Sequence, residues 1–599
     1  PTPTPQPERR LMARSLVRAL APLAAALAVA CAGGPPSGGG AAPGGPPRPE
    51  RGEQGRVAPV NLHAIYPTNL ATRRPLTRAE RSDFQQTSSY ADVMAFIDTL
   101  KQLEDSQIAT GVIGRTSDGK EIPYVVASRP RVTTPAEAKR LNRPIVYVQG
   151  DIHGGEVAGK EAILAMLREL TDDKAPNVLD SLVLVVVPIY NADGNDSLGP
   201  EAKNRPEQDG PAMIGQRANG QGLDLNRDYI KAEAPETRAS LRMFDRWDPD
   251  VFVDLHTTDG TYTGYALTYA GSLSPAARFT GPFTMDTLLP AVRRNLLARE
   301  RIQTFDYGNV ETPNGGPRGW YTYDARPRYG TNYYGVRGRI GILAEAYSHD
   351  PFRTRIASTY AFVGELLSLL AANGEEIVQV SHEADRKSIL GGTTPAEAPY
   401  VSLRSEYTQH PRSGDIILED LARLPDSTEK LPGIKRGYRR IGKFHTERMP
   451  IFDRFQSTLD RRMPVAYAFG PDQKALVARL QLQGVFVEQL VDSVTVAAEH
   501  FAIDSVVRNP RAYQGHYEER LEGIWSPFAP TLPKGTYVVR EAQARAILAM
   551  YLLEPESDDG FATWNVMDDW IGPGKTYPVL RITEPFGVNA PLQLVPQQP

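Results

Sequence analysis

Apolar residues recur along this chain with two periods, and the switches between them outline its elements. Tyr90, Val93, Ile97 and Leu100 fall three or four apart and predict a helix. Ile122 to Val126 follows a Ser117-Asp118-Gly119 turn and predicts a strand. Pro144 to Gly150 predicts another. Glu156 to Leu170 predicts a helix with Ile163, Met166, Leu167 and Leu170 on one face. Leu182 to Ile189 is a continuous apolar run with four valines, the pattern of a strand buried on both faces. Leu241, Phe244 and Trp247 share a helix face. Val251 to His256 and Ile340 to Glu345 predict short strands, and Ile356, Tyr360, Val363, Leu367 and Leu370 mark a closing helix.

This alternation, from about Val60 to Asn373, predicts an α/β fold: a mixed, mostly parallel sheet with helices on both faces. Such folds bind ligands beyond the carboxyl ends of their strands. After about Gly374 the pattern changes. Short alternating runs at Tyr400 to Leu403, Val465 to Phe469, Tyr537 to Arg540 and Tyr577 to Ile582 stand among Pro and Gly. Helix-like pieces recur at Asp472 to Gln483 and Ala542 to Leu553. These predict a second, strand-rich α+β domain over residues 376–599. The acidic Glu554 to Asp559 stretch reads as a solvated turn, with a cation loop as the alternative.

Composition sets the class. At 599 residues the chain exceeds one ordinary core. A net charge of -4 without a long basic run gives no reason to expect nucleic acid. The first residues read as a leader: Arg9, Arg10, Arg14 and Arg18 precede an Ala/Leu/Val stretch from Ala19 to Ala30, too short to span a bilayer. Residues 1–30 are therefore expected to be a signal peptide, with Met12 an alternative start. Cys31, the only cysteine, stands where a bacterial lipobox places its lipidated residue. The alternative is ordinary cleavage near Ala30. Residues 31–59 are rich in Gly, Pro and Ala and read as a tether. The expected location is the bacterial envelope, with a lipid anchor as the sole membrane contact.

Candidate chemistry gathers at the predicted strand ends. His153 and Glu156 stand three apart after an apolar run, and His256 ends another strand. Two imidazoles and a carboxylate suit one zinc ion per chain and leave a position open for water, the arrangement of catalytic sites. There zinc would bring the pKa of that water to about 7. Between the ligands, the loop from Arg217 to Tyr229 carries Arg227, a fork suited to a carboxylate, with Asn226 beside it and Arg217 as a second fixed cation.

In order along residues 60–375 these motifs resemble the zinc carboxypeptidase family, the carboxypeptidase A/B type also called funnelins. The matching parts are His153-x-x-Glu156, Pro188-Ile189-Tyr190-Asn191-Ala192-Asp193-Gly194, the Arg217 to Arg227 loop, His256, and Glu345 at the end of Gly341-Ile342-Leu343-Ala344-Glu345. The resemblance implies zinc ligands His153, Glu156 and His256. It implies that Asn226 and Arg227 hold a substrate's terminal carboxylate, that Arg217 supports the oxyanion, that Asp224 orients His153, and that Glu345 is the general base. There are departures. Ala192 replaces a proline, the interval from Arg227 to His256 is short, and Ala346-Tyr347 follow Glu345, leaving His349 as an alternative base. For the substrate-capping tyrosine, Tyr323, Tyr333 and Tyr334 are candidates.

The expected function is that of an exported zinc metallocarboxypeptidase acting on peptides. Alternatives are a zinc amidase or deacylase acting on acylated amino acids or cell-wall peptides, and a non-catalytic binding lipoprotein.

Overall fold

The computed structural model describes residues 70, 73–103, 107–172, 176–425, 428–585 and 592–597. The leader, Cys31 and the tether lie outside the described residues.

The alternating apolar pattern becomes an eight-stranded sheet. In chain order its strands are β1 (Ile108–Arg115), β2 (Glu121–Ala127), β3 (Ile145–Gly150), β4 (Val183–Val187), β5 (Val251–Thr257), β6 (Leu267–Gly271), β7 (Thr304–Asp306) and β8 (Ile340–Ala346). In space they run β1-β2-β4-β3-β5-β8-β6-β7. The central run β4-β3-β5-β8 is parallel, as is the outer pair β6-β7, and the other pairs are antiparallel.

Side chains divide by parity, as a pleated strand requires. Ile145, Tyr147, Val183, Val185, Val187 and Phe252 enter one core. Their neighbours Val146, Val148, Leu184, Val186, Val251 and Val253 enter a second on the opposite face. Helices α1 (Tyr90–Gln102), α2 (Ala158–Asp172) and α5 (Phe352–Ala372) cover the second core. Helices α3 (Pro235–Trp247) and α4 (Gly330–Val336) cover the first, through Leu241, Phe244, Trp247, Tyr333 and Tyr334.

That first core does not stop at residue 375. It continues through Val401, Leu403, Tyr467 and Phe469 to Leu548, Met550, Leu552 and Trp564. The C-terminal region opens on a long helix, α6 (Gly374–Thr393), not on strands. Its buried face is Ile377, Ser381, Ala384, Ser388, Gly391 and Gly392, which explains why hydrophobic periodicity does not disclose it. Strands follow. A seven-stranded antiparallel sheet includes Ala466–Phe469, Ala498–Arg508, Glu519–Phe528, Tyr537–Arg540 and Val579–Ile582. Gly414–Arg423 and Tyr438–Met449 form a separate antiparallel pair.

The acidic stretch at Glu554 to Asp559 is not a solvated turn. Glu554 pairs with Arg581 through Nε at 2.7 Å, and Arg461 Nε donates to Glu556 at 2.7 Å. Asp559 accepts from Arg328 Nε at 2.9 Å and Trp564 Nε1 at 2.8 Å. Glu554 and Asp559 are fully buried, so these carboxylates are interior partners of arginines.

Candidate active site

The parallel strands end together, and the predicted residues meet at those ends. After β3 the chain turns through Asp151, whose φ of 66° is the left-handed bend. Gly154 and Gly155 serve a different purpose. A Cβ on Gly154 would lie 2.2 Å from the Asn195 backbone nitrogen, and one on Gly155 2.7 Å from the Gly215 carbonyl. Their bareness lets the short helix Ala192–Asp196 and the chain at Gly215 press against the loop. Asn191 fastens the junction, donating to the carbonyls of Ile152 and Arg217, each at 3.2 Å.

The loop delivers His153 and Glu156, and β5 delivers His256. Nδ1 of His153 and Nδ1 of His256 each lie 2.9 Å from one oxygen of Glu156. All three side chains are buried, and their ligand atoms fall within 4.8 Å of one another. Each outer nitrogen is held from behind: His153 Nε2 lies 3.0 Å from Asp224, and His256 Nε2 lies 3.0 Å from Asp254. Two imidazoles oriented by carboxylates, with a third carboxylate between them, form the donor set zinc takes. The residues fit the ion. Glu156 is further held by the Thr257 N–H at 3.1 Å, by Arg205 at 3.0 Å and by Arg217 at 3.3 Å. Burial opposes its charge, but His153 and Arg205 keep its carboxyl well below the ordinary range.

A cavity of about 100 Å³ opens in front of this cluster. Glu345 reaches it from β8, paired in register with His256 of β5; Leu343, two residues earlier on the same face, lines it too. Burial pushes the Glu345 carboxyl up, toward a group able to accept and return a proton. Arg217 borders the cavity with Nε and Nη2 each 3.0 Å from Asp224 and Nη1 on Glu156. Arg227, which also lines the cavity, lies over the Tyr329 ring, 4.0 Å from its centroid. Asn226 accepts the Gly330 N–H at 2.9 Å. Both cations line the cavity that holds the His-Glu-His cluster.

His349 stands apart. Its Nδ1 donates to the Gly433 carbonyl at 2.6 Å, its ring stacks on Tyr262, and it does not line the cavity. Of the tyrosine candidates, Tyr323 lines the cavity. Tyr333 and Tyr334 are fully buried core residues. Tyr307 and Tyr329 line it as well, and nothing in the sequence singles them out. Arg205 and Asp254 are further residues that the sequence reading passes over. Asp254 had a signal, since it stands two residues before His256 on the same strand face; Arg205 sits in an irregular loop and had none. A wider cleft of about 640 Å³ between α3 and the 474–482 helix is lined by arginines and, among the described residues, holds no comparable donor cluster.

Residues 93–279 match the zinc carboxypeptidase family model. Carboxypeptidase 2 of Trichophyton tonsurans is 23% identical over 502 residues, covering 78% of this chain and 81% of that protein. Carboxypeptidase Z of Mus musculus is 30% identical over 132 residues, covering 21% of this chain and 18% of that protein. Among solved structures, carboxypeptidase A from Helicoverpa armigera aligns at 16% identity with a TM-score of 0.36, over 52% of this chain and 80% of that one.

Proposed function

We propose that the chain, whose residues 93–279 match the zinc carboxypeptidase family model, acts as a zinc-dependent peptide hydrolase, and on that premise assign which of its residues act and where. His153, Glu156 and His256 hold the ion, with Asp224 and Asp254 fixing the two imidazoles. Zinc, once bound, supplies Lewis acidity, acidifying a water and polarising a carbonyl. Asn226 and Arg227 grip the terminal carboxylate of a peptide at one end of the cavity. Arg217, also lining the cavity, offsets the negative charge that grows on the scissile carbonyl oxygen. Glu345 takes a proton from the attacking water and passes it to the leaving nitrogen. No covalent bond to the protein is required.

One observation carries this reading. A single small cavity contains a metal donor set, a buried carboxylate and a guanidinium fork, so base and carboxylate clamp address the same peptide. The test compares a peptide acid with its C-terminal amide. The acid should be cut and the amide at least ~30-fold more slowly, about 2 kcal/mol of discrimination. Glu345→Gln should retain zinc and lose turnover. Equal rates on acid and amide would sink the exopeptidase reading in favour of an amidase.

We also propose export with a lipid anchor at Cys31. Its support is the sequence: a positive region, an apolar stretch, small residues, then a single cysteine before a Gly/Pro-rich tether. Cys31→Ala should move the protein from the membrane fraction to the soluble one. A wild-type protein already soluble would end the proposal.

A further inference from the structure

The cleft of about 640 Å³ between α3 and the helix Lys474–Leu482 is of the size that takes a ligand. Arg238, Arg242 and Arg246 reach it from α3, each four residues from the next, and Arg479 reaches it from the facing helix. Two carboxylates line it as well, and both are already taken. Glu233 pairs with His516 Nε2 at 3.0 Å, and Asp245 with Arg337 Nη2 at 2.7 Å. Four guanidinium groups thus face two carboxylates whose charge is neutralised elsewhere. Arg238 and Arg479 are held by main-chain carbonyls, of Ala232 at 3.3 Å and Lys231 at 3.0 Å. A carbonyl orients a guanidinium without cancelling its charge. Arg242 and Arg246 are exposed, and among the described residues neither has a hydrogen bond or an ion pair.

The two walls differ. Positions four apart on a helix fall in one row, with a step of ~6 Å along the axis. Alternate side chains of an extended peptide share a face and stand ~7 Å apart. A strand laid along α3 with acidic residues at every second position therefore keeps step with Arg238, Arg242 and Arg246. Its intervening side chains point the other way, toward the facing helix. There Ala478 and Leu482, again four apart and half-buried, present an apolar surface beside Arg479. The alternation of such a peptide matches the difference between the walls. A polyphosphate chain, anionic on every side, would leave Ala478 and Leu482 without a partner.

We infer that this cleft is a docking site for an acidic polypeptide segment, bound extended, with carboxylates at alternate positions on the α3 arginines and small apolar side chains on Ala478 and Leu482. It shares no lining residue with the cavity that holds the His-Glu-His cluster. The inference does not depend on the reaction proposed for that cavity.

The test titrates the full zinc-loaded chain by calorimetry with acetyl-Glu-Ala-Glu-Ala-Glu-amide, whose blocked end offers Arg227 no terminal carboxylate. The peptide should bind at low ionic strength and weaken as salt is raised. Glutamine in place of its glutamates should abolish binding. Acetyl-Ala-Glu-Glu-Glu-Ala-amide, equal in charge but without the alternation, should bind more weakly. The paired change Arg242→Gln with Arg246→Gln should lower affinity roughly tenfold, and Arg242→Glu with Arg246→Glu should abolish it. Both positions are exposed, so zinc content, the thermal midpoint and turnover of a neutral peptide acid should match the parent. Absence of binding by the parent overturns the inference. So does equal affinity for the glutamate and glutamine peptides, or for the alternating and contiguous ones, or affinity unchanged in both paired variants. Tripolyphosphate bound through Arg242 and Arg246 more tightly than the alternating peptide would also overturn it, in favour of a phosphate ligand. A parent that cuts no peptide but binds the alternating one through these arginines upholds the inference while the proposed reaction falls.

Discussion

Asp254 Oδ2 lies 3.0 Å from His256 Nε2, so the second imidazole is held by a carboxylate two residues earlier on its own strand. Gln149 Nε2 in turn donates to Asp254 Oδ1 at 3.1 Å. A carboxylate behind a metal-bound imidazole sets its orientation and basicity. Asp254→Asn keeps the size and removes the charge. Zinc affinity, read by competition with a chelator, should fall ~10–100-fold. Affinity within about twofold of the parent would show that the carboxylate is dispensable.

Arg227 stacks on Tyr329 and presents a planar fork. Lysine at this place keeps the charge but neither stacks flat nor binds a carboxylate bidentately. Arg227→Lys should lower kcat/KM on a peptide acid by at least ~30-fold, about 2 kcal/mol, with the residual rate on the amide unaffected. Equal losses on the two substrates would mean that Arg227 shapes the site without reading the carboxylate.

Asp559 is fully buried and shared between Arg328 and Trp564. Asp559→Ala leaves Arg328 buried beside only Glu518, and removing one partner of a buried pair costs ~3–5 kcal/mol. Urea unfolding should show that loss. A change below about 0.5 kcal/mol would be that of a surface site.

His349 provides a pH test. Burial pushes its imidazole down to about 4, against the raising effect of the Gly433 and Gly260 carbonyls. An unfolded histidine titrates near ~6.5. Below that value the unfolded chain accepts a proton that the folded chain refuses. Stability is therefore undiminished above about pH 6.5 and falls as pH drops toward 4, by about 3 kcal/mol in all. His349→Gln should remove that share of the acid sensitivity. Parent and variant curves that stay parallel between pH 7 and 4.5 would assign the titration elsewhere.

Much of the first half was legible because its strands carry the pattern that burial imposes. Val183 to Val187 is apolar throughout because helices cover both faces. His153, Glu156 and His256 stand out because donors at strand ends have few other reasons to be there. Other features depend on partners far away in sequence. The carboxylates at 554–559 look solvated until Arg328, Arg461 and Arg581 arrive from three other segments. Helix α6 buries serine, alanine and glycine, which leave almost no hydrophobic trace. Tyr329 gains significance only when Arg227 lies across it, 102 positions earlier in the chain.

The core that runs from Tyr147 and Phe244 to Leu548 and Trp564 has a thermal consequence. The α/β half and the strand-rich half share an interior, so neither can melt while the other keeps its packing. A calorimetric scan of the full chain should trace a single endotherm, with a van't Hoff enthalpy equal to the calorimetric one. A chain ended at residue 375 would strip Tyr333 of its Gln483 partner and open the shared core to water, and would come out of solution before it could be assayed.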